Sequence, residues 1–219
     1  FESSFSYRTL SSASSEFKLD YFTDNTFTTT SDKITQSEIN FLVNYTPKRK
    51  MVGYGVDRID VDLNYPRFFV SYSQGLKGVF DSDFNYSKLQ LYYRQPLLIA
   101  GFGRLFSTLE VGKTFGKVPL SLMGIIPGNQ SYFIIDNTYN LLNYYDFVAD
   151  QYTSLHLEHN FNGKLFARVP LLRKLNWREI IGVKAVYGSV SDENIALNAS
   201  GQSYQAPVKG YYEYSAGIG

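Results

Sequence analysis

Polar and apolar residues alternate with a period of two through most of this chain, which leaves little room for any fold but a sheet. Arg58, Asp60, Asp62 and Asn64 interleave with Ile59, Val61, Leu63 and Tyr65. Glu38, Asn40 and Asn44 interleave with Ile39, Phe41, Val43 and Tyr45, and Ser154, His156, Glu158 and Asn160 with Thr153, Leu155, Leu157 and Phe161. Near the end, Lys209, Glu213 and Ser215 oppose Val208, Tyr212, Tyr214 and Ala216. Successive side chains of a strand point to opposite faces, so each segment has one apolar and one strongly polar side. The pattern predicts an all-β protein.

Strands are expected near 2–9, 16–23, 36–46, 52–64, 67–75, 83–94, 97–111, 131–136, 143–149, 152–161, 164–169, 178–188 and 208–218. Several run to about ten residues, the length at which a tilted strand crosses a bilayer. Thr46-Pro47-Lys48-Arg49-Lys50 is a short polar connection, and Asn162-Gly163 is the best hairpin signal because both residues tolerate positive φ. Polar stretches at 24–34 and 189–206 are expected as loops on one side of the sheet. Pro170 to Trp177 breaks the alternation. It could form a short helical turn, Pro170 opening it and Leu171, Leu172 and Leu175 on one side, but a connection packed on the wall or end of the sheet is favoured. No repeat or shift of composition divides the chain, so residues 1–219 are expected to form one domain.

Composition narrows the environment. The 21 Lys and Arg nearly cancel the 20 Asp and Glu, which gives no electrostatic footprint for nucleic acid. With no Cys, disulfides, thiolate metal sites and cysteine nucleophiles are excluded. No run approaches the ~18 apolar residues of a membrane helix, and no secretory n-region and h-region open the chain at Phe1. The 19 Tyr and 17 Phe fall often at segment ends, as at Tyr21, Tyr45, Tyr65 and Tyr72, where a transmembrane barrel places its aromatic girdles. Lipid also forbids unpaired backbone groups, so a spanning sheet must close on itself. An antiparallel transmembrane β-barrel is therefore expected, with a soluble sandwich or lipocalin-like barrel as the competing fold.

Three blocks carry a family resemblance. They are Val118-Pro119-Leu120 to Asn129-Gln130-Ser131-Tyr132-Phe133; Asn140-Leu141-Leu142-Asn143-Tyr144-Tyr145-Asp146-Phe147 to Tyr152; and Leu155-His156-Leu157-Glu158-His159-Asn160-Phe161-Asn162-Gly163 followed by Arg168 to Leu175. Together they resemble the barrel region of a Bacteroidota outer-membrane family that carries a carboxypeptidase-regulatory-like domain ahead of its barrel and has no established function. The third block is also similar to BamA-like assembly barrels. The chain lacks the regulatory-like domain and stops at Ala216-Gly217-Ile218-Gly219 without the aromatic-ended strand common in such barrels. The expectation is a fragment of a larger barrel protein, truncated at both ends.

Candidate chemistry is sparse. His156 and Glu158 share the polar face of one segment while His159, three positions on, points the other way. A lone His-Glu pair lacks the further ligands zinc needs, so no metal or cofactor is expected. A hydrolase reading would pair Ser154 with His156, with Asp150 or Glu158 as the orienting group. Nothing selects it over other polar residues. Gly101-Phe102-Gly103 lacks the third glycine of a dinucleotide loop and reads as strand with small residues. Four Asn-X-Ser/Thr matches, two of them inside expected strands, are attributed to chance. Arg58, Asp60, Asp62, His156 and Glu158 are the candidates to line a wet lumen.

The expectation is an integral outer-membrane barrel without enzymatic activity, embedded in outer-membrane lipid. By resemblance it would act with other envelope proteins in envelope biogenesis or export. A transport pore and a membrane-bound hydrolase are the alternatives.

Overall fold

The computed structural model describes residues 1–12, 18–24, 26–61, 64–133, 135–199 and 205–219. Eight strands dominate: β1 (Glu2–Leu10), β2 (Ile34–Tyr45), β3 (Arg67–Gly75), β4 (Tyr86–Ile99), β5 (Gly103–Phe115), β6 (Gln151–Asn160), β7 (Glu179–Ser189) and β8 (Tyr211–Ile218). Each pairs antiparallel with its neighbour in the chain, so the sheet order is simply β1 to β8. The all-β expectation holds. Among the described residues β1 and β8 do not pair with each other, so this sheet is an open meander and not a closed barrel.

Register makes the two faces uniform. Across six strands, Arg67, Arg94, Thr108, His156, Lys184 and Glu213 stand opposite one another in a single polar row. The adjacent row on the other face reads Tyr45, Phe68, Tyr93, Leu109, Leu155, Ala185 and Tyr212. The Phe68 and Tyr93 rings approach to 4.7 Å between centroids. Cross-strand pairs of this kind stabilise a sheet by roughly 0.2–1 kcal/mol each.

Burial is inverted relative to a protein folded in water. On the apolar face Leu89 is 44% exposed, Ile181 46% and Tyr214 77%. On the polar face Thr108, Ser154 and Glu213 are each only 6% exposed. What covers them is chain from one end of the sheet. There the connections are long, at 11–33, 76–85, 116–150 and 190–210, and the stretch 116–150 runs against the polar face. The opposite end has 46–66, the tight turn 100–102, and 161–178. The main apolar core lies at the long-loop end, where Val118, Leu120, Leu122, Met123 and Val148 pack on Tyr21, Ile34 and Tyr86.

Several expected elements differ. The strand expected at 52–64 is a small hairpin, Met51–Val52 with Ile59–Asp60, inside the connection 46–66. Its alternation serves a local ribbon that the Arg49–Asp60 ion pair closes at 2.7 Å. The break expected near Gln95 is absent: β4 runs on through Pro96 to Ile99. Gly101-Phe102-Gly103 makes the β4–β5 turn instead of continuing a strand. Gly101 and Gly103 have φ of 72° and 95°, the Phe102 N–H donates to the Ile99 carbonyl at 2.8 Å, and a Cβ on Gly103 would sit 1.9 Å from the Asn160 carbonyl oxygen. Strands expected at 131–136, of which Ile134 lies outside the described residues, and at 143–149 belong to the connection 116–150, where Val148–Ala149 pairs with Gly124–Ile125 and the Val148 N–H donates to the Gln205 carbonyl. At 16–23 only Tyr21–Phe22 pairs among the described residues, with Thr30–Ser31; Glu16 and Phe17 lie outside them. At 164–169 a turn of 3-10 helix, Phe166–Arg168, replaces the strand, and Pro170 opens a one-turn helix α1 (Pro170–Arg173). Asn162 and Gly163 adopt positive φ but open this longer connection, not a two-residue hairpin.

Candidate functional site

The polar side chains of β4 to β8 converge on the middle of the connection 116–150. Tyr139, fully buried, is the anchor. Its hydroxyl lies 2.8 Å from Ser154 Oγ and donates to the Ala185 carbonyl at 2.7 Å. Its ring lies 4.8 Å from that of His156 and 5.8 Å from that of Tyr211. Burial pushes the Tyr139 phenol well above its ordinary ionisation range; the Glu213 charge adds to this, and the Ser154 hydrogen bond works against it. The phenol therefore stays protonated.

Beside it the backbone itself is gripped. The N–H groups of Asn140 and Leu141 donate to the two oxygens of Glu213 at 2.8 and 2.9 Å, and the Tyr211 hydroxyl donates to the same carboxylate at 2.9 Å. Lys184 Nζ donates to the Thr138 carbonyl at 2.6 Å. Asn137 donates to the Tyr92 hydroxyl at 3.2 Å, and Arg94 approaches Asp136 at 3.9 Å. Five consecutive residues, 136–140, are thus held by side chains of β4, β6, β7 and β8. Hydrogen bonds to charged groups stabilise by roughly 1.5–3 kcal/mol each, so this stretch is a plug fastened to the sheet and not a free loop.

Two cavities open between the polar face and the connection 116–150. One, about 440 Å³, is lined by Arg94, Asp136, His156, Glu158, Lys184 and Ser215. The other, about 390 Å³, is lined by Arg8, Glu38, Lys88, Gln90, Glu110 and Tyr152. In the second, Arg8 pairs with Glu38 at 3.0 Å and the Tyr86 hydroxyl donates to the same carboxylate. Tyr152 donates to Glu110 at 2.5 Å, and its ring lies against Gly112, where a Cβ would come within 2.4 Å of it.

The sequence candidates are therefore scattered. His156 and Glu158 reach one cavity, on the polar face of β6. Arg58 and Asp60 sit in the hairpin of the connection 46–66, outside the eight-stranded sheet, and not on its polar face. Asp62 lies outside the described residues. His159 is on the opposite face, its Nε2 2.8 Å from the Phe102 carbonyl oxygen. Ser154 Oγ is 3.0 Å from His156 Nε2, but its other partner is Tyr139. Asp150 accepts from the Ser191 N–H and from Asn194, at 2.8 and 2.9 Å. It braces the α2 helix (Asp192–Leu197) and does not orient a histidine. Tyr139, Lys184 and Glu213 were missed by sequence reasoning, though Glu213 stood on the polar side of an alternating segment. No group of three or more potential metal ligands occurs among the described residues.

A family model described as the C-terminal domain of a family of unknown function, DUF5686, matches residues 5–199. No curated protein and no solved structure matches the chain.

Proposed function

We propose that this chain, which belongs to the family of DUF5686 C-terminal domains, forms the wall of an integral outer-membrane β-barrel that acts without enzymatic chemistry in envelope biogenesis or export. The supporting observation is the inverted burial. Continuous rows of Leu, Ile, Phe and Tyr face outward, while charged and hydroxylic side chains are buried beneath the plug. Leaving so much apolar surface in water is costly, at about 25 cal/mol per Å², whereas acyl chains match it. Strand lengths agree: seven of the eight strands have nine or more residues, the span a tilted strand needs. No helix among the described residues is long and apolar enough to cross a membrane, which says nothing about crossing by strands.

Among the described residues the outer edges of β1 and β8 pair with no strand, and closure of the wall requires each to meet one, from this polypeptide or from a partner. That is the feature through which the domain would engage other envelope proteins. The pore reading has less support, because the plug occupies the polar face through charged hydrogen bonds. The hydrolase reading has less still: among the described residues no carboxylate bonds His156.

The test is extraction. The protein should remain with membranes through alkaline carbonate washing, require detergent for solubility, and co-purify with envelope proteins under mild detergent. A monodisperse species in buffer without detergent would overturn the membrane assignment, and repeated recovery of the domain alone would overturn the partner role.

A further inference from the structure

We infer that the connection 161–178, at the end of the sheet that carries the 100–102 turn, is a docking element for the phosphates of anionic phospholipid head groups in the adjoining leaflet; this rests on the membrane reading above. Charge is sorted between the two ends. In sequence, the connections 46–66, 100–102 and 161–178 carry nine Lys and Arg against three Asp, whereas 11–33, 76–85, 116–150 and 190–210 carry five against eleven Asp and Glu. The segment 161–178 is the extreme, with Lys164, Arg168, Arg173, Lys174 and Arg178 and no acid at all. Among the described residues none of these five cations forms an ion pair. The nearest carboxylate in sequence, Glu179, is buried and accepts the backbone N–H of Phe166.

Apolar side chains alternate with these cations in a way a purely aqueous surface does not call for. Leu165, Val169, Leu171, Leu175 and Trp177 are all exposed, Leu171 to 79%. Lys164 Nζ sits 4.0 Å above the ring of Phe102, which ties the segment to the β4–β5 turn and so to the rim of the outward apolar face. A cavity of about 570 Å³ opens within the segment, between Asn162, Phe166, Leu172, Arg173, Trp177 and Arg178. Guanidinium groups beside exposed Leu and Trp match a phosphodiester above the start of its acyl chains: the cation takes the phosphate, and the apolar group enters the boundary layer. Each cation near an anionic surface strengthens association by about fivefold.

Trp177 is the single tryptophan of the chain, so its fluorescence reports on this segment alone. The experiment titrates the detergent-solubilised protein with phosphatidylglycerol or phosphatidylcholine brominated near the head group and reads Trp177 quenching. Phosphatidylglycerol should quench at a concentration at least about fivefold lower than phosphatidylcholine. The preference should vanish in the R173Q/K174Q variant and in 1 M salt, on the order of ten times the ionic strength at which surface charges are already largely screened. Equal quenching by the two lipids, or a preference that survives R173Q/K174Q, overturns the inference. A second protein, Trp177→Phe with Leu91→Trp on the outward face of β4, separates the two readings. If its tryptophan is quenched by chain-brominated lipid of either head group while Trp177 shows no preference, only the docking inference falls. If it is not quenched, the membrane reading falls with it.

Discussion

Tyr139 and Ser154 share a hydrogen bond of 2.8 Å between a residue of the plug and a residue of the sheet wall. Neither oxygen is free for other work: Tyr139 also donates to the Ala185 carbonyl, and Ser154 also meets His156 Nε2. The pair that sequence spacing offers as a nucleophile and its base is, in three dimensions, a fastening.

Removing the hydroxyl tests that fastening. Tyr139→Phe keeps the ring contacts to His156 and Tyr211 but removes the buried hydroxyl's bonds to Ser154 and to the Ala185 carbonyl, which should cost about 1–3 kcal/mol. Denaturant unfolding in detergent would measure it. Hydrogen exchange should accelerate first at residues 136–142. Unchanged protection there would show that the plug is held by other means.

Alkaline stability depends on the same phenol. Burial raises the ionisation range of Tyr139 in the folded protein above that of the unfolded chain. Its contribution is therefore complete below the unfolded value of about 10 and is lost as pH rises through the raised folded value. The stability difference between the wild type and Tyr139→Phe should be constant below pH ~10 and shrink above it. A difference that grows with alkalinity would contradict the assignment.

Glu213 should control how closely the plug sits. Glu213→Gln retains a single acceptor oxygen for the two N–H groups of Asn140 and Leu141, and the stronger acceptance by an ionised group is lost. Limited proteolysis between residues 130 and 145 should speed up in this variant, while the eight-stranded sheet keeps its circular dichroism. Proteolysis at the wild-type rate would remove Glu213 from this role.

The two faces of β4 should respond oppositely to one added charge. Leu91→Lys places an ammonium on the outward face and should destabilise the inserted protein by about 2–4 kcal/mol near the bilayer midplane. Gln90→Lys, on the polar face next to it, should change stability far less. Folding yield into lipid vesicles, read by heat-modifiable migration on gels, compares them. Equal tolerance at both positions would argue against lipid contact.

Gly112 is a packing position. A side chain there would collide with the Tyr152 ring, so Gly112→Val should break the 2.5 Å hydrogen bond to Glu110 and cost about 1–3 kcal/mol through overpacking. Gly112→Val in a Tyr152→Ala background should recover most of that loss. Failure to recover would place the strain in the backbone of β5.

What could be read from the sequence was whatever depends on parity. Alternation fixes which side chains share a face, and so the facing of residues such as Glu38, His156 and Glu158 was legible at once. Ends were harder. The expected strands end at 94 and resume at 97 although β4 passes through Pro96, and Gly101-Phe102-Gly103 reads as strand although positive φ makes it the turn. The plug was illegible for a different reason. The stretch 131–149 is as aromatic as the strands, but the partners of residues 136–141 lie on β4, β6, β7 and β8, and local periodicity carries no trace of contacts so distant. The same limit hid Tyr139. Nothing in its neighbours marks a tyrosine that will be enclosed by Ser154, His156, Ala185 and Tyr211. In the 52–64 segment, by contrast, the periodicity was genuine but supports only a two-residue ribbon.

Because every strand of the meander is bonded only to its immediate chain neighbours, no large loop has to close before the first ladder can form. Such a wall can be laid down one hairpin at a time, each new ribbon meeting an edge already in place. Residues 136–140 cannot follow that schedule: their holders on β7 and β8 arrive last, so the interior is stoppered only once the wall beside it stands.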